Sequence, residues 1–186
     1  MKSSLLPVAA LLGATSFSLY GCVADENPSL STFLALHNQY CESDLDSREA
    51  LTAALSADKR FKPAAGFMGV YETRVDGISY AISPEIGGCT TDVMVKNAKT
   101  GKLLFTYAEM NEALVDKGYQ AVGEETKRKD MGSDRKDVTI IEKTFISPSG
   151  ETTNLGYPAE RPDQYYMTLF AKKFSKVDRS SISMNN

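Results

Sequence analysis

Apolar residues recur every three or four positions over residues 29–60, a spacing that predicts two helices. The first helix would begin with Ser29 as its N-cap. Its buried stripe would be Leu30, Phe33, Leu34, His37 and Cys41. The second would begin at Asp46, with Glu49 three residues later in a capping-box pattern. It would end near Arg60, because the residue before Pro63 disfavours a helix.

From residue 67 onward the apolar positions alternate with polar ones, which is typical of strands with one buried face. The predicted strands are residues 67–73, 78–82, 86–95, 119–126, 138–146, 151–157 and 165–174. Asp76-Gly77 is a strong hairpin signal between the first two, and residues 84–88 are read as a break before the third. Helical spacing returns between Leu104 and Val115, with Gly118 suited to the C-terminal cap.

These elements predict one α+β domain over residues 29–174, in which an N-terminal helical pair packs on an antiparallel sheet with one inserted helix. Residues 175–186 are polar and are expected to be disordered. The chain has 186 residues and a net charge of −3. Mild acidity argues against nucleic acid as a partner, because binding to phosphates favours a basic surface.

The N-terminus has the organisation of an export signal. One lysine, Lys2, precedes an apolar run over residues 5–19, which is short for a membrane span and is followed at once by polar sequence. Signal peptidase cleavage before Asp25, giving an unlipidated secreted or periplasmic protein, is one outcome, since Cys22-Val23-Ala24 places small residues at the −3 and −1 positions. A retained membrane anchor is another.

The end of this run, Leu19-Tyr20-Gly21-Cys22, resembles a bacterial lipobox. The resemblance implies that residues 1–21 are a lipoprotein signal peptide, that Cys22 is the lipidated cysteine, and that residues 22–28 form a tether. It also implies palmitate or related acyl chains on Cys22, through which the protein would meet a membrane. Val23 after the cysteine resembles the sorting pattern of enterobacterial lipoproteins destined for the outer membrane.

The other two cysteines, Cys41 and Cys89, would remain in the folded part of the chain. A lone pair in an exported protein is usually oxidised, so we expect a disulfide between the helical pair and the sheet. Two buried free thiols are the alternative. Gly87 and Gly88 would permit a close backbone approach beside this bond. No Cys-x-x-Cys motif indicates redox catalysis.

The sequence contains no recognisable catalytic, nucleotide-binding or metal-binding motif, so we predict no catalytic residue, cofactor or metal. His37 is the sole histidine, and its place on the apolar stripe favours a packed or hydrogen-bonded side chain. A basic cluster could bind lipid phosphates or an acidic partner, or could be a solvated hairpin tip over residues 127–136. Its members are Lys127, Arg128, Lys129, Arg135 and Lys136.

A looser resemblance covers residues 33–95, where Phe33 and Cys41 on a helix precede Gly87-Gly88-Cys89 at a strand start. It is similar to a pattern in small uncharacterised envelope proteins of Gram-negative bacteria, and it implies no activity. Together the patterns favour a lipid-anchored, non-enzymatic envelope lipoprotein that binds a protein partner. The alternatives are a periplasmic hydrolase and a secreted inhibitor of an envelope-active enzyme.

Overall fold

The computed structural model describes residues 27–97 and 100–173. The helices are α1 (Pro28–Tyr40), α2 (Arg48–Ala57) and α3 (Tyr107–Asp116). The strands are β1 (Lys62–Pro63), β2 (Tyr71–Val75), β3 (Ile78–Glu85), β4 (Gly88–Val93), β5 (Gln120–Met131), β6 (Asp137–Ile146), β7 (Thr152–Pro158) and β8 (Met167–Lys172). The predictions for Cys22, the signal peptide and the C-terminal tail fall outside the described residues.

The strands form a single antiparallel sheet in the order β1-β2-β3-β4-β8-β7-β6-β5. The first four strands follow one another across half of the sheet. The chain then passes through α3 to the far edge and returns strand by strand, so that β8 pairs with β4. The predicted α+β class, with an N-terminal helical pair on an antiparallel sheet and one inserted helix, is confirmed.

All three helices contribute to one core on one face of the sheet. Phe33 and Leu34 of α1, Leu51 of α2 and Met110 of α3 are fully buried in it. The sheet supplies alternating residues of its central strands, as period two requires. Those residues include Tyr80, Ile82, Cys89, Val93, Leu155, Met167 and Leu169. The opposite face of the sheet has no described helix over it.

The helix starts differ slightly from prediction. Asn27, rather than Ser29, caps α1: its side-chain oxygen accepts hydrogen bonds from the backbone N–H groups of Ser29 and Leu30, and Pro28 takes the first helical position. Asn27 and Pro28, predicted as the end of the tether, therefore belong to the start of α1. The second helix is capped by Ser47, whose hydroxyl accepts from the N–H of Ala50 at 3.1 Å, and not by Asp46.

Two strand boundaries were also wrong. Residues 67–70 belong to a turn-rich loop, and β2 begins only at Tyr71. Glycines at positive φ, Gly66 and Gly69, hold this loop in turns and interrupt the apparent alternation. The predicted break over residues 84–88 is shorter, because Pro84 stays in β3 opposite Cys89. The Asp76-Gly77 hairpin is as predicted, with positive φ at both residues.

The predicted charged hairpin tip over residues 127–136 is also wrong in extent. Strand β5 continues to Met131, so the first three basic residues lie in the strand and the turn covers only residues 132–136. The register shifts between Val122 and Thr126, where three β5 residues face one β6 residue. Pairing resumes beyond this bulge, where Arg128 and Lys129 form ion pairs with Glu142 and Asp137 of β6.

Gly88 makes the close approach expected of it, but toward a different neighbour. A Cβ there would lie 2.2 Å from the carbonyl oxygen of Ala171 and 2.6 Å from the ring of Phe170. The crowding therefore comes from β8 and its outward-facing aromatic ring, not from the helix beside the cysteine pair. Gly87 has a different role, since its φ of 94° serves the β3–β4 turn.

Candidate functional site

A cleft of about 430 Å³ lies on the helix-free face of the sheet. Its floor consists of outward-facing side chains of β2, β3, β4 and β8. We call these the cleft floor: Glu72, Ser79, Ala81, Ser83, Asp92 and Thr168. Four of them form one cross-strand row, since Glu72 pairs with Ala81, Ala81 with Asp92, and Asp92 with Thr168. Adjacent strands are about 4.8 Å apart, so the backbones carrying the two carboxylates are about 10 Å apart.

The walls of the cleft come from segments that fold over the sheet. Phe67 and Val70, from the loop before β2, line one side. The other side is lined by the end of β5, the β5–β6 turn and the segment before β8, through Met131, Ser133, Gln164, Tyr165 and Tyr166. The N–H of Ser133 donates to the carbonyl of Gln164 at 2.9 Å, and its hydroxyl donates to the Gln164 side chain at 2.7 Å. These bonds hold two distant parts of the chain together as one wall.

Small side chains create the space between these walls. Ala81 lies at the centre of the floor, with Ser79 and Ser83 two residues away on the same face of β3. Outward positions of a strand lie about 6.6–6.8 Å apart along the chain, so three small residues in succession leave a trough along β3. Larger residues at these positions would fill the cleft.

Asp92 is the most perturbed group of the cleft. Burial, and secondarily the negative charge of Glu85, raises the pKa of its carboxyl to about 7. No described residue gives the Asp92 side chain a hydrogen bond or an ion pair. Burial raises the pKa of the nearby Tyr166 hydroxyl as well, with contributions from the charges of Glu72 and Asp92. None of the described lining residues is basic, and Glu72 and Asp92 are the two acidic ones among them.

Large apolar side chains surround the mouth of the cleft. We call them the cleft rim: the lining residues Phe67, Met131 and Tyr166, together with Met68, which follows Phe67 in the same loop. Phe67 is 65% exposed and Met131 is 64% exposed, and Met68 has the full exposure of an extended chain. Single exposed apolar residues are ordinary, whereas several around one concavity mark a surface that another molecule covers.

On the opposite face of the sheet, the predicted cysteine pair is present at disulfide distance. The Cα atoms of Cys41 and Cys89 are 5.1 Å apart, within the range that a disulfide requires, and both residues are fully buried. The pair connects the end of α1 to the start of β4. Its distance confirms the contact between helix and sheet that the sequence predicted.

A buried polar network lies beside this pair. The hydroxyl of Thr91 is 3.0 Å from Nδ1 of His37 and 3.3 Å from Sγ of Cys41. Nε2 of His37 is 3.4 Å from Oε1 of Glu42, which accepts a hydrogen bond from Thr153 at 3.0 Å. We call these residues the His37 network: His37, Cys41, Glu42, Thr91 and Thr153.

Electrostatics in the network favour a neutral histidine beside an ionised carboxylate. Burial lowers the pKa of His37 more than the neighbouring Glu42 raises it. Burial alone would raise the pKa of Glu42, but hydrogen bonds from His37, Thr153 and Ser147 hold it below its ordinary value. The sequence Thr91–His37–Glu42 has the order of a nucleophile, base and acid. However, Thr91 and His37 have no exposed surface, so no substrate can reach them in this structure.

The residues of the basic cluster differ in their ion pairing and in their position on β5 or the β5–β6 turn. Arg128 pairs with Glu142 and Asp130, and Asp130 also accepts a hydrogen bond from the Tyr165 hydroxyl at 2.6 Å. Arg128 thereby braces one wall of the cleft. Lys129 lies 3.6 Å from Asp137, whereas Lys127 has no ion-pair partner among the described residues. The remaining members, Arg135 and Lys136, lie exposed in the β5–β6 turn.

Sequence reasoning did not identify the cleft. Alternation along β4 does place Asp92 on the face opposite Thr91 and Val93. It cannot show that Glu72 shares its row, because that depends on the register of three strands. The alternation of apolar residues predicts a strand at Phe67 rather than a cleft wall, because it does not reveal the turns at Gly66 and Gly69.

Within residues 27–97 and 100–173, no cluster of three or more acidic, histidine or cysteine side chains could hold a metal ion. Over the same residues, no helix has the length and apolar character needed to cross a membrane. No protein-family model, curated protein or solved structure matches this chain.

Proposed function

We propose that this chain is a lipid-anchored envelope lipoprotein that binds a partner protein through the cleft on the helix-free face of its sheet. The lipobox resemblance at Cys22 supports the anchor, and the acidic cleft with its apolar rim supports the binding role. The observation that carries the proposal is the Asp92 carboxylate, which has no partner among the described residues, inside a cleft whose rim is apolar and exposed.

Site-specific photo-crosslinking in cells tests the binding role. A photoreactive amino acid at Met68 or Met131 is expected to capture the same partner from both positions. Val115 is the control position, because it is half exposed but lies on α3, on the helical side of the sheet. A partner captured equally well from Val115 would contradict a role for the cleft.

A steric variant tests whether the captured partner occupies the cleft itself. Ser79 is an exposed residue of the cleft floor, and Ser79→Phe would fill the trough along β3. We expect this change to abolish crosslinking from Met68. Ala108→Phe on the exposed side of α3 is the matched control and should leave crosslinking unchanged. Undiminished capture by a folded Ser79→Phe protein would refute the proposal.

The anchor is tested separately. Metabolic labelling with palmitate should mark the wild-type protein, and Cys22→Ala should lose the label and either enter the soluble fraction or remain unprocessed. An unlabelled wild-type protein that begins at Asp25 would instead show ordinary secretion.

A periplasmic hydrolase is the second candidate, and one observation favours it. A carboxyl with a pKa of about 7 in a cleft is suited to donate and accept a proton near neutral pH. Purified protein should then hydrolyse an ester, glycoside or peptide substrate, and Asp92→Asn should abolish that activity. Activity that survives Asp92→Asn would not come from this site.

A further inference from the structure

The charge of the cleft limits what can bind there. Its described lining residues include two carboxylates, Glu72 and Asp92, and no basic side chain. Glu72 is exposed, whereas Asp92 is largely buried and has no hydrogen-bond or ion-pair partner among the described residues. A ligand that brings a positive charge offsets the cost of leaving such a carboxylate unpaired. An anionic ligand would instead be repelled by both carboxylates. The floor therefore favours a cationic group.

The shape of the cleft indicates how much of the ligand enters. Its volume of about 430 Å³ lies toward the lower end of the about 300–1,000 Å³ typical of ligand pockets. Such a space admits extended side chains rather than a helix or a folded domain. Serine and threonine hydroxyls on the floor, at Ser79, Ser83 and Thr168, can accept hydrogen bonds from an ammonium or guanidinium group.

The rim indicates what stands next to the cation. Met68 and Met131 offer flexible apolar contact, and methionine adapts to partners of varied shape. Phe67 and Tyr166 are exposed aromatic rings beside an acidic floor, an arrangement that attracts a cation through the ring face as well as through charge. Because this apolar surface extends beyond the cleft itself, it fits a larger partner better than a free amine.

We infer that the cleft binds a peptide segment of a partner protein in which a lysine or arginine side chain stands beside a large apolar residue. The basic side chain enters between Glu72 and Asp92, and the apolar residue packs on the cleft rim. The inference rests on the proposed binding role and specifies the chemistry of the partner.

Short peptides provide the test. Acetyl-Leu-Lys-Leu-amide is titrated into the ¹⁵N-labelled protein, with the norleucine and glutamate analogues and hexylamine as comparison probes. The lysine peptide should shift the amide resonances of Ala81, Asp92 and Thr168. Asp92→Asn or Glu72→Gln should weaken its binding about tenfold, equivalent to about 1.4 kcal/mol. The same charge change at exposed Glu112 of α3, Glu112→Gln, should have no effect.

Salt provides a second readout, because binding driven by charge weakens as ionic strength rises. Equal binding by the norleucine peptide would overturn the charge requirement while leaving the cleft as a binding site. Equal binding by hexylamine would overturn the peptide segment in favour of a small amine. Failure of every probe to shift the cleft resonances would overturn the inference. The crosslinking experiment tests the proposed binding role separately, because it does not use these peptides.

Discussion

The Thr91 hydroxyl lies 3.0 Å from Nδ1 of His37, in the interior between β4 and α1. The next residue, Asp92, points to the other face of the sheet and into the cleft. Two adjacent residues of β4 therefore lie in two different environments. One belongs to a sealed polar network and the other to an open acidic cleft, since successive strand residues point in opposite directions.

Thr91→Val should destabilise the protein by about 1–3 kcal/mol, because it leaves Nδ1 of His37 buried without a hydrogen-bond partner. Urea unfolding measures the change. Thr90→Val is the matched control, as Thr90 lies on the outward face and makes no contact with the network. Equal losses from the two variants would mean that the Thr91 contact contributes nothing specific.

Cys41→Ala and Cys89→Ala should each destabilise the protein by about 2–5 kcal/mol, because each removes the same covalent link. The two residues are 48 positions apart, and closing a loop of that length contributes about 4 kcal/mol in the chain-entropy model. The double variant should be hardly less stable than either single one. Additive losses in denaturant unfolding under oxidising conditions would show two independent core residues.

Asp92→Asn should stabilise the folded protein increasingly as pH rises. The folded pKa of about 7 lies above the ordinary 3.8, so wild-type Asp92 contributes stability below about pH 4 and loses it as pH rises through 7. Asparagine does not ionise, so the variant does not lose stability in this way. The difference in the free energy of unfolding between variant and wild type should therefore grow between about pH 4 and 7, by on the order of 1–3 kcal/mol, and level off above.

The comparison with Glu112→Gln isolates this effect, since Glu112 is exposed and away from the cleft. His37 acts in the opposite direction within the same range, because its lowered pKa makes the protein less stable as pH falls below about 6.5. That contribution is common to wild type and variant and cancels in the difference. A difference that does not change with pH would show that Asp92 titrates normally.

Arg128→Glu should destabilise the protein by about 1–2 kcal/mol, as it replaces two ion pairs by repulsion from Asp130 and Glu142 and loosens one cleft wall. Lys127→Glu, one residue earlier in the same exposed strand, should stay within about 0.5 kcal/mol of wild type. Thermal or urea unfolding of both variants checks the contrast. Equal effects would mean that the pairing of Arg128 does not contribute to stability.

Local patterns in the sequence were sufficient to predict several features. Helical spacing on α1 placed His37 and Cys41 on the buried stripe, and alternation after Cys89 placed Val93 in the core. Asp76-Gly77 specified its hairpin, because few residue pairs accept two positive φ angles. The observed helix caps lie one or two residues from the predicted ones. Asn, Ser and Asp are nearly equivalent as caps, and several of them lie close together at both helix starts.

The long extent of β5 was less accessible to sequence reasoning. A run of lysine and arginine is equally compatible with a solvated turn, and the pairing of Arg128 with Glu142 on the neighbouring strand appears only in the tertiary structure. Phe67 was misassigned because the positive φ angles at Gly66 and Gly69 belong to a loop that folds over the sheet.

By itself, the sequence determined the α+β class, the buried stripe of α1 and the pairing of Cys41 with Cys89, because each depends on local periodicity or on having a single candidate partner. The tertiary structure alone decided the acidic cleft and the His37 network. Glu72 and Asp92 share a row only through the register of β2, β3 and β4, and Thr91 meets His37 only because α1 packs across β4. Register and packing arise from long-range contacts, which neighbours in the chain do not specify.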